Sequence, residues 1–294
     1  MTERQKVILN LFQRGYSIPQ IKKTLGVKST TYIRKVVKNY EKHFSFQIKS
    51  NVERELFFSD LHIPQSDSRA VETMWNYTNE ERFDKIVIGG DLVDFESVSN
   101  FVRDPNQRDL KKEIEYARAF LADLRNRFPK AQIFYIQGNH EFRLERFIQT
   151  KAPELWNLDE LSVSNLLRLD QSNIIWVNNH DIIMKVGQPF KIGHLYHLHG
   201  HEVRVNWNAV NIARLIYLKT QANVIMGHHH TSQEYTQRIL NGDTHICTSV
   251  GCLSSLVLPY SIVNNWNHGF ATIEYNVSGS FTVQNKKIID SAVV

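Results

Sequence analysis

The sequence predicts an α/β domain preceded by a small all-α segment. Three observations lead there. Short apolar runs rich in β-branched and aromatic residues alternate with longer amphipathic stretches from Glu55 to Met226, the rhythm of strands joined by helical crossovers. Several of those runs end in Asp, Asn or His beside glycine. Helical periodicity runs from Val7 to Phe44, and residues 1 to 50 hold all of the excess positive charge.

The N-terminal segment comes first. Val7, Ile8, Leu11 and Phe12 recur at helical spacing, and Gly15-Tyr16-Ser17 supplies a stop followed by an N-cap serine. Ile18, Ile21 and Leu25 define a short second helix, with Pro19 tolerated in its first turn and Gly26-Val27 closing it. Ser29 or Thr30 can cap a third helix whose apolar face is Ile33, Val36, Val37, Tyr40 and Phe44, while Arg34, Lys38 and Lys42 fall four apart on another face. The alternation of Phe44, Phe46 and Ile48 then predicts a short strand, either a wing or an edge of the next domain.

Charge separates this segment from the rest. Residues 1 to 50 carry eleven basic side chains against Glu3 and Glu41, a balance of +9, whereas the remainder carries 24 basic and 28 acidic residues, a balance of −4. A local excess of this kind points to a polyanionic partner, against the plainer reading of a solvated basic surface. Three short helices with a glycine turn before the third resemble a helix-turn-helix. That resemblance implies DNA contacts by Ser29, Thr30, Thr31, Arg34, Lys35 and Lys38. A helical bundle for protein contacts would have the same pattern.

Along the larger segment, Glu55 to Phe58 reads as a strand running into Asp60 and His62. On an extended chain two residues two apart share a side, so one cation could take both. A helix is predicted from Ser68 to Thr78. Ile86-Val87-Ile88 is a buried strand whose Gly89-Gly90 turn delivers Asp91, with Asp94 three residues on. Leu110, Ile114, Ala117, Leu121, Leu124 and Phe128 mark a long crossover helix. Gln132 to Ile136 ends in Gly138-Asn139-His140-Glu141, the run from His194 to Leu198 in His199-Gly200-His201, and Val224 to Met226 in Gly227-His228-His229-His230. The repeated rhythm predicts that these carboxyl ends gather on one edge of the sheet. Any one of the five groups is explained by an ordinary turn, loop or surface histidine; five in order, each after a strand, require those explanations to coincide.

Asp60-x-His62, Gly90-Asp91-x-x-Asp94, Gly138-Asn139-His140-Glu141, His199-Gly200 and Gly227-His228-x-His230 together resemble the five motifs of the calcineurin-like metallophosphoesterase superfamily. The resemblance spans residues 55 to 230. It implies a four-layer α/β/β/α sandwich over residues 49 to 294, after a helix-turn-helix domain at residues 1 to 48. It also implies two divalent metal ions at one end of the sandwich. By similarity, Asp60, His62 and His230 hold one ion, Asn139, His199 and His228 the other, and Asp91 bridges both. Carboxylate, amide and imidazole donors without thiolate suit Mn²⁺ first, with Fe and Zn²⁺ left open. His140 is implied as the group that protonates the leaving oxygen or stabilises the transition state, with Asp94 orienting and charging it. Arg143 and Arg146 are candidates for a nonbridging phosphate oxygen, against the alternative of an ordinary charged helix face.

The fourth motif offers His197, His199 and His201 on one strand face, so the choice of His199 rests on its place before Gly200. The chain also lacks the Gly-Asp-x-x-Asp-Arg-Gly form of protein Ser/Thr phosphatases, having Phe95-Glu96 after Asp94. That departure favours the nuclease and phosphodiesterase branches. The turns Asn241-Gly242 and Ser278-Gly279 join further strands as hairpins. The stretch from Lys151 to Gln171, with Trp156 and a leucine-rich helix, and the loop from Leu256 to His268, with Trp266, are candidates to shape a substrate pocket.

Composition sets the outer bounds. With 42% apolar and 22% charged residues the chain has soluble globular composition, and no run reaches the roughly 18 apolar residues of a membrane span. Its charged start lacks a secretory h-region, and Cys247 and Cys252 are too few for a disulfide framework, so reduced thiols in the cytoplasm are expected. The expectation is a metal-dependent phosphoesterase cleaving phosphodiester bonds in DNA, with DNA as partner, no membrane, and a dimer left open. The alternatives are a phosphomonoesterase or small-nucleotide phosphodiesterase whose helices serve protein contacts, and a DNA-binding regulator with an inactive esterase domain.

Overall fold

Alternation of side chains along β-strands decides how this chain layers. The structure, a computed structural model, describes residues 4–5, 7–8, 18–27, 29–46, 52–100, 109–205, 210–257 and 261–294. In order these form α1 (Ile18–Leu25), α2 (Thr30–Phe44), β1 (Ser45–Phe46), β2 (Val52–Phe58), α3 (Ser68–Thr78), β3 (Lys85–Ile88), α4 (Leu110–Arg127) and β4 (Gln132–Ile136). They continue with α5 (Glu141–Lys151), α6 (Val163–Leu166), β5 (Ile174–Val177), α7 (Asn179–Val186), β6 (Lys191–Ile192), β7 (Leu195–His197), α8 (Ile212–Thr220) and β8 (Val224–Met226). Strands β9 (Gln233–Arg238), β10 (Thr244–Ser249), β11 (His268–Asn276), β12 (Phe281–Ile289) and β13 (Ala292–Val293) complete the chain.

Among the described residues the strands make two sheets, β13-β12-β11-β2-β3-β4-β5 and β1-β6-β7-β8-β10-β9. Strands β2 to β5 run parallel, as crossovers through α3 and α4 require, and β11 and β12 add on antiparallel. Even and odd residues go to different cores. Leu56, Phe58, Ile86, Ile88, Ile133 and Tyr135 face α3 and α4, whereas Phe57, Val87, Phe134 and Ile136 face the second sheet, where they meet Ile192, Leu195, Ile225 and Val250. On the far side of the second sheet Val224 and Met226 pack under Ile212, Ala213 and Ile216 of α8. The result is helix, sheet, sheet, helix, as the motifs imply.

This arrangement corrects one expectation. The five motif-bearing ends do not share one sheet: β2, β3 and β4 belong to the larger sheet and β7 and β8 to the smaller. They meet because the two sheets stack with those ends together. The strand after α2 is β1, and it pairs in parallel with β6 as an edge of the smaller sheet. Strand β2 begins at Val52, ahead of the predicted Glu55. The stretch after Lys151 holds two 3₁₀ turns and the single-turn α6 instead of one leucine-rich helix, and it leaves Leu155, Trp156 and Leu158 exposed.

At the N terminus, α1 and α2 are joined by a turn in which Gly26 takes a φ of +59°, a conformation other side chains resist. Ile8, Ile21, Val27, Ile33, Val36 and Val37 form their own small core. Val7 and Ile8 are helical, and the rest of the first predicted helix lies outside the described residues. No helix among the described residues is long and apolar enough to cross a membrane.

Candidate metal centre

Each strand end hands its motif to a tight loop. Sequence spacing alone treats Asp60-x-His62 as extended, but Asp60 has a φ of +57° and His62 of +50°, both in the left-handed region. The two side chains converge through turns, which corrects the extended reading. Asp91, His228 and His230 share that conformation, with φ of +50°, +68° and +56°. Non-glycine residues held this way are uncommon and persist where surrounding contacts over-determine them. Here the contacts are visible: the backbone N–H of Asp60 donates to Gly90 O at 3.1 Å, that of His62 to Asp91 O at 3.0 Å, and that of His228 to the Asp60 carboxylate at 2.8 Å.

Two glycines make the approach of these loops sterically feasible. A Cβ at Gly138 would collide with the Asp91 side chain and lie 2.6 Å from its backbone nitrogen, and one at Gly227 would collide with Ser59 and Asp60. The loops are also stitched by Glu141, fully buried at the start of α5. Its carboxylate accepts from Asp91 N at 3.0 Å, Gly138 N at 2.8 Å, Val93 N at 3.3 Å and the Tyr135 hydroxyl at 2.7 Å. Burial, then the neighbouring Asp91 charge, pushes the Glu141 carboxyl upward. Sequence reading includes Glu141 in a motif without giving it this clamping role.

The residues implied as ligands lie together in two adjoining groups. In one, His230 Nε2 is 3.2 Å from His62 Nε2 and 3.4 Å from Asp60 Oδ1. In the other, His199 Nε2 is 3.2 Å from Asp91 Oδ2, 3.1 Å from Asn139 Oδ1 and 3.1 Å from His228 Nδ1. Asp91 Oδ2 is also 3.9 Å from His62 Nε2, so the two groups adjoin at this carboxylate. Asp60, His62 and His230 form one set of donor atoms close enough for a single ion, and Asp91, His199 and His228 another.

The chemistry of the donors fits a pair of cations. Asp60 Oδ1 is buried with no hydrogen-bond partner, an arrangement that is costly unless something positive occupies the space it faces. His199 Nδ1 is 2.8 Å from Gly89 O, which can only accept, so Nδ1 donates there and Nε2 is the ring atom left facing Asp91 and Asn139. Electrostatics has the same character. Burial would raise Asp60 and Asp91, but nearby imidazoles hold both carboxyls below the ordinary range. Burial would depress His199, yet the Asp91 carboxylate pushes it up to about 10. A carboxylate-rich pocket of this kind attracts positive charge.

The three histidines of the fourth motif take different positions. His197 turns into the space between the sheets, where Nε2 lies 2.8 Å from Glu55 Oε1 beside the Tyr275 hydroxyl. His201 is half-buried with Nδ1 3.6 Å from Glu202. Only His199 of the three brings a ring nitrogen against Asp91, Asn139 and His228.

His140 stands beside the same carboxylate. Its backbone N–H donates to Asp91 Oδ1 at 2.9 Å and its Nδ1 lies 2.5 Å from Asp94 Oδ1. Burial pushes this imidazole down to about 4, against the pull of Asp91. The Asp94 carboxyl, which burial alone would raise, is held far below its usual range by hydrogen bonds from His140 and His62. Arg143, a candidate for a phosphate oxygen, lies against the same pair. Its guanidinium is buried and committed, with Nη1 donating to Asp94 O at 2.9 Å and Asp94 Oδ1 at 3.1 Å, and Nη2 to His140 Nε2 at 2.8 Å. It braces the His140–Asp94 pair. Arg146, one turn along α5, is half-buried.

A family model for calcineurin-like phosphoesterases matches residues 54–251. The chain belongs to the calcineurin-like phosphoesterase family. Its metallophosphoesterase domain thus carries a His/Asp cluster suited to divalent metal ions. Gene 54 protein of Mycobacterium phage L5 is 25% identical over 234 residues, covering 75% of this chain and 88% of the phage protein. Among solved structures, Vacuolar Protein Sorting 29 from Cryptosporidium parvum aligns with a TM-score of 0.46 at 12% identity, over 83% of this chain and 96% of that one. Vps29 complexed with zinc from Entamoeba histolytica aligns with a TM-score of 0.42 at 14% identity, over 82% and 96%.

Away from the metal cluster, Ser29, Thr31, Arg34 and Lys35 of the N-terminal segment are exposed and Thr30 is half-buried, while Ile33, Val36 and Val37 are buried in the small core. The side chain of Lys38 lies outside the described residues.

Proposed function

We propose that the chain is a two-metal phosphodiesterase that cleaves DNA, with residues 1 to 48 acting as a separate helical module that holds the polyanion near the centre. The observation that carries the hydrolytic part is the convergence of seven donor side chains from two sheets, with the His140–Asp94 pair against their shared carboxylate Asp91. Asp60, His62 and His230 would hold one ion, Asn139, His199 and His228 the other, with Asp91 common to both. When bound, two divalent ions supply Lewis acidity toward the phosphoryl group and the attacking water, and the donor set favours Mn²⁺.

The protein's own groups account for the rest. Asp94 fixes the His140 ring with its proton on Nδ1, and Arg143 neutralises Asp94 while occupying His140 Nε2. With its one proton on Nδ1, His140 would have to take up a second proton at Nε2, displacing Arg143 from that nitrogen, before it could pass one to the leaving oxygen. Diester over monoester chemistry is supported by the residue after Asp94. Phe95 is fully buried in the α-facing core, so no cation stands there to grip a dianionic phosphate. DNA is supported by the concentration of charge in residues 1 to 50 and by the exposed Ser29, Thr31, Arg34 and Lys35 along α2. Similarity to a phage protein supports action in a host cytoplasm.

The test is hydrolysis of bis(p-nitrophenyl) phosphate, p-nitrophenyl phosphate, plasmid and linear DNA by the full chain with added Mn²⁺. Cleavage of the diester and of DNA, lost in Asp91→Asn, supports the proposal. Turnover confined to monoesters or small nucleotides replaces it with the narrower esterase, and no hydrolysis of any ester rejects it.

A further inference from the structure

The strand end that delivers His199 is held by a carboxylate outside the metal cluster. After β7 the chain passes through Gly200, whose φ of +129° turns it so tightly that a Cβ there would lie 2.9 Å from the His228 side chain. Two residues on, Glu202 folds back over this turn. Its Oε1 accepts from the backbone N–H of His199 at 3.2 Å and its Oε2 from that of Gly200 at 2.7 Å. The carbonyl of His199 accepts from Gly227 N at 2.9 Å, so both backbone polar groups of this residue are engaged. With ring Nδ1 on Gly89 O as well, His199 is fixed at main chain and side chain alike.

The carboxylate is itself anchored from behind. Asn179, buried as the first residue of α7, donates from Nδ2 to Glu202 Oε1 at 3.0 Å and to His197 O at 3.0 Å, while its Oδ1 accepts from Phe190 N at 2.9 Å. A carboxyl group that accepts three N–H donors keeps its charge. Only 11% of the Glu202 side chain is exposed, it lies 3.6 Å from His201 Nδ1, and among the described residues no lysine or arginine pairs with it. A buried negative charge of this kind is costly unless positive charge lies near, and the imidazole it holds turns Nε2 toward Asp91, Asn139 and His228.

We propose that Glu202 is a positioning residue for the second ion. Through the backbone of His199 it fixes where Nε2 stands among Asp91, Asn139 and His228, and its charge adds to the attraction for a cation there. The proposal rests on the two-metal reading and deepens it by naming what holds one of the two ligand sets in place.

The experiment is manganese binding to the full chain, followed by equilibrium dialysis and by low-temperature electron paramagnetic resonance, for the wild type, Glu202→Gln and Glu202→Asp. Glu202→Gln keeps the size of the side chain but loses its charge and one of its two acceptors. The expected result is two ions with the signal of a coupled pair in the wild type. Glu202→Gln should bind one ion with unchanged affinity and the other about 10–100-fold more weakly, leaving the six-line signal of isolated manganese where the wild type shows the pair. Glu202→Asp, which keeps the charge at shorter reach, should show the same selective loss to a smaller extent. Two ions kept at wild-type affinity in Glu202→Gln, or a loss shared equally by both as general loosening of the fold would give, overturns the proposal. If Glu202→Gln does not fold, Glu202→Asp is read by the same criteria. A wild type that binds fewer than two ions overturns the two-metal reading itself, a result visible before any variant is compared.

Discussion

The Nδ1 atom of His199 donates to the carbonyl oxygen of Gly89 across 2.8 Å, tying the end of β7 in one sheet to the end of β3 in the other. This bond fixes which nitrogen faces Asp91. His199→Ala should therefore reduce bound manganese from two equivalents to about one and lower affinity by more than about tenfold, while His201→Ala keeps both. Metal analysis after equilibrium dialysis checks it, and equal loss in the two variants would contradict the assignment.

His140→Ala should lower kcat on bis(p-nitrophenyl) phosphate by about 10²–10⁴-fold, the usual range for a positioned proton donor, with bound metal unchanged. Asp94→Asn should show a smaller loss, and the double variant should fall well short of the product of the two, because Asp94 acts through His140. Steady-state kinetics on the three proteins, with circular dichroism to confirm folding, makes the comparison.

Arg143→Lys separates bracing from substrate contact. A lysine cannot reach Asp94 and His140 together as the planar fork does. Loss concentrated in kcat, with KM within about threefold, would fit bracing, whereas a rise in KM alone fits phosphate binding.

Glu141→Gln should destabilise the fold by about 1–3 kcal/mol, since an amide offers fewer acceptors to the backbone N–H groups of Asp91, Val93 and Gly138. Thermal denaturation of the metal-free protein checks this without interference from ligand stabilisation.

Burial pushes the Cys247 thiol up to about 11. Because the thiolate is the nucleophile, alkylation of Cys247 by iodoacetamide at pH 8 should be slow in the native protein and accelerate in denaturant, where the ordinary pKa returns. Peptide mapping of alkylated sites against time tests it.

Much of the fold was readable because strands and helices here keep their periods. Ile86-Val87-Ile88 and Gln132 to Ile136 are strands as predicted, and Leu110 to Leu124 lies on one buried helix face. The meeting of Asp91, His199 and His228 follows from glycine-flanked strand ends, and Asp60 joins them from the end of β2. What periodicity does not encode is rotation and pairing between distant segments. The left-handed φ of Asp60 and His62 is imposed by hydrogen bonds to Gly90 and Asp91. The pairing of β1 with β6 joins segments more than a hundred residues apart. Helical spacing places Arg143 on α5 but says nothing of the buried Asp94 waiting for it, and no local pattern brings Trp266 to His230. The choice among His197, His199 and His201 needed the Glu55 and Tyr275 partners that draw His197 inward.

The donor side chains come from both layers of the sandwich: Asp60, His62, Asp91 and Asn139 from loops of one, His199, His228 and His230 from the other. A bound ion is then a rivet through the seam, and at a free concentration of about 100 times its Kd it would add roughly 2.7 kcal/mol to folding. Chelator-treated protein should open first along that seam, and amide exchange near β7 and β8 should report how much cofactor a preparation carries.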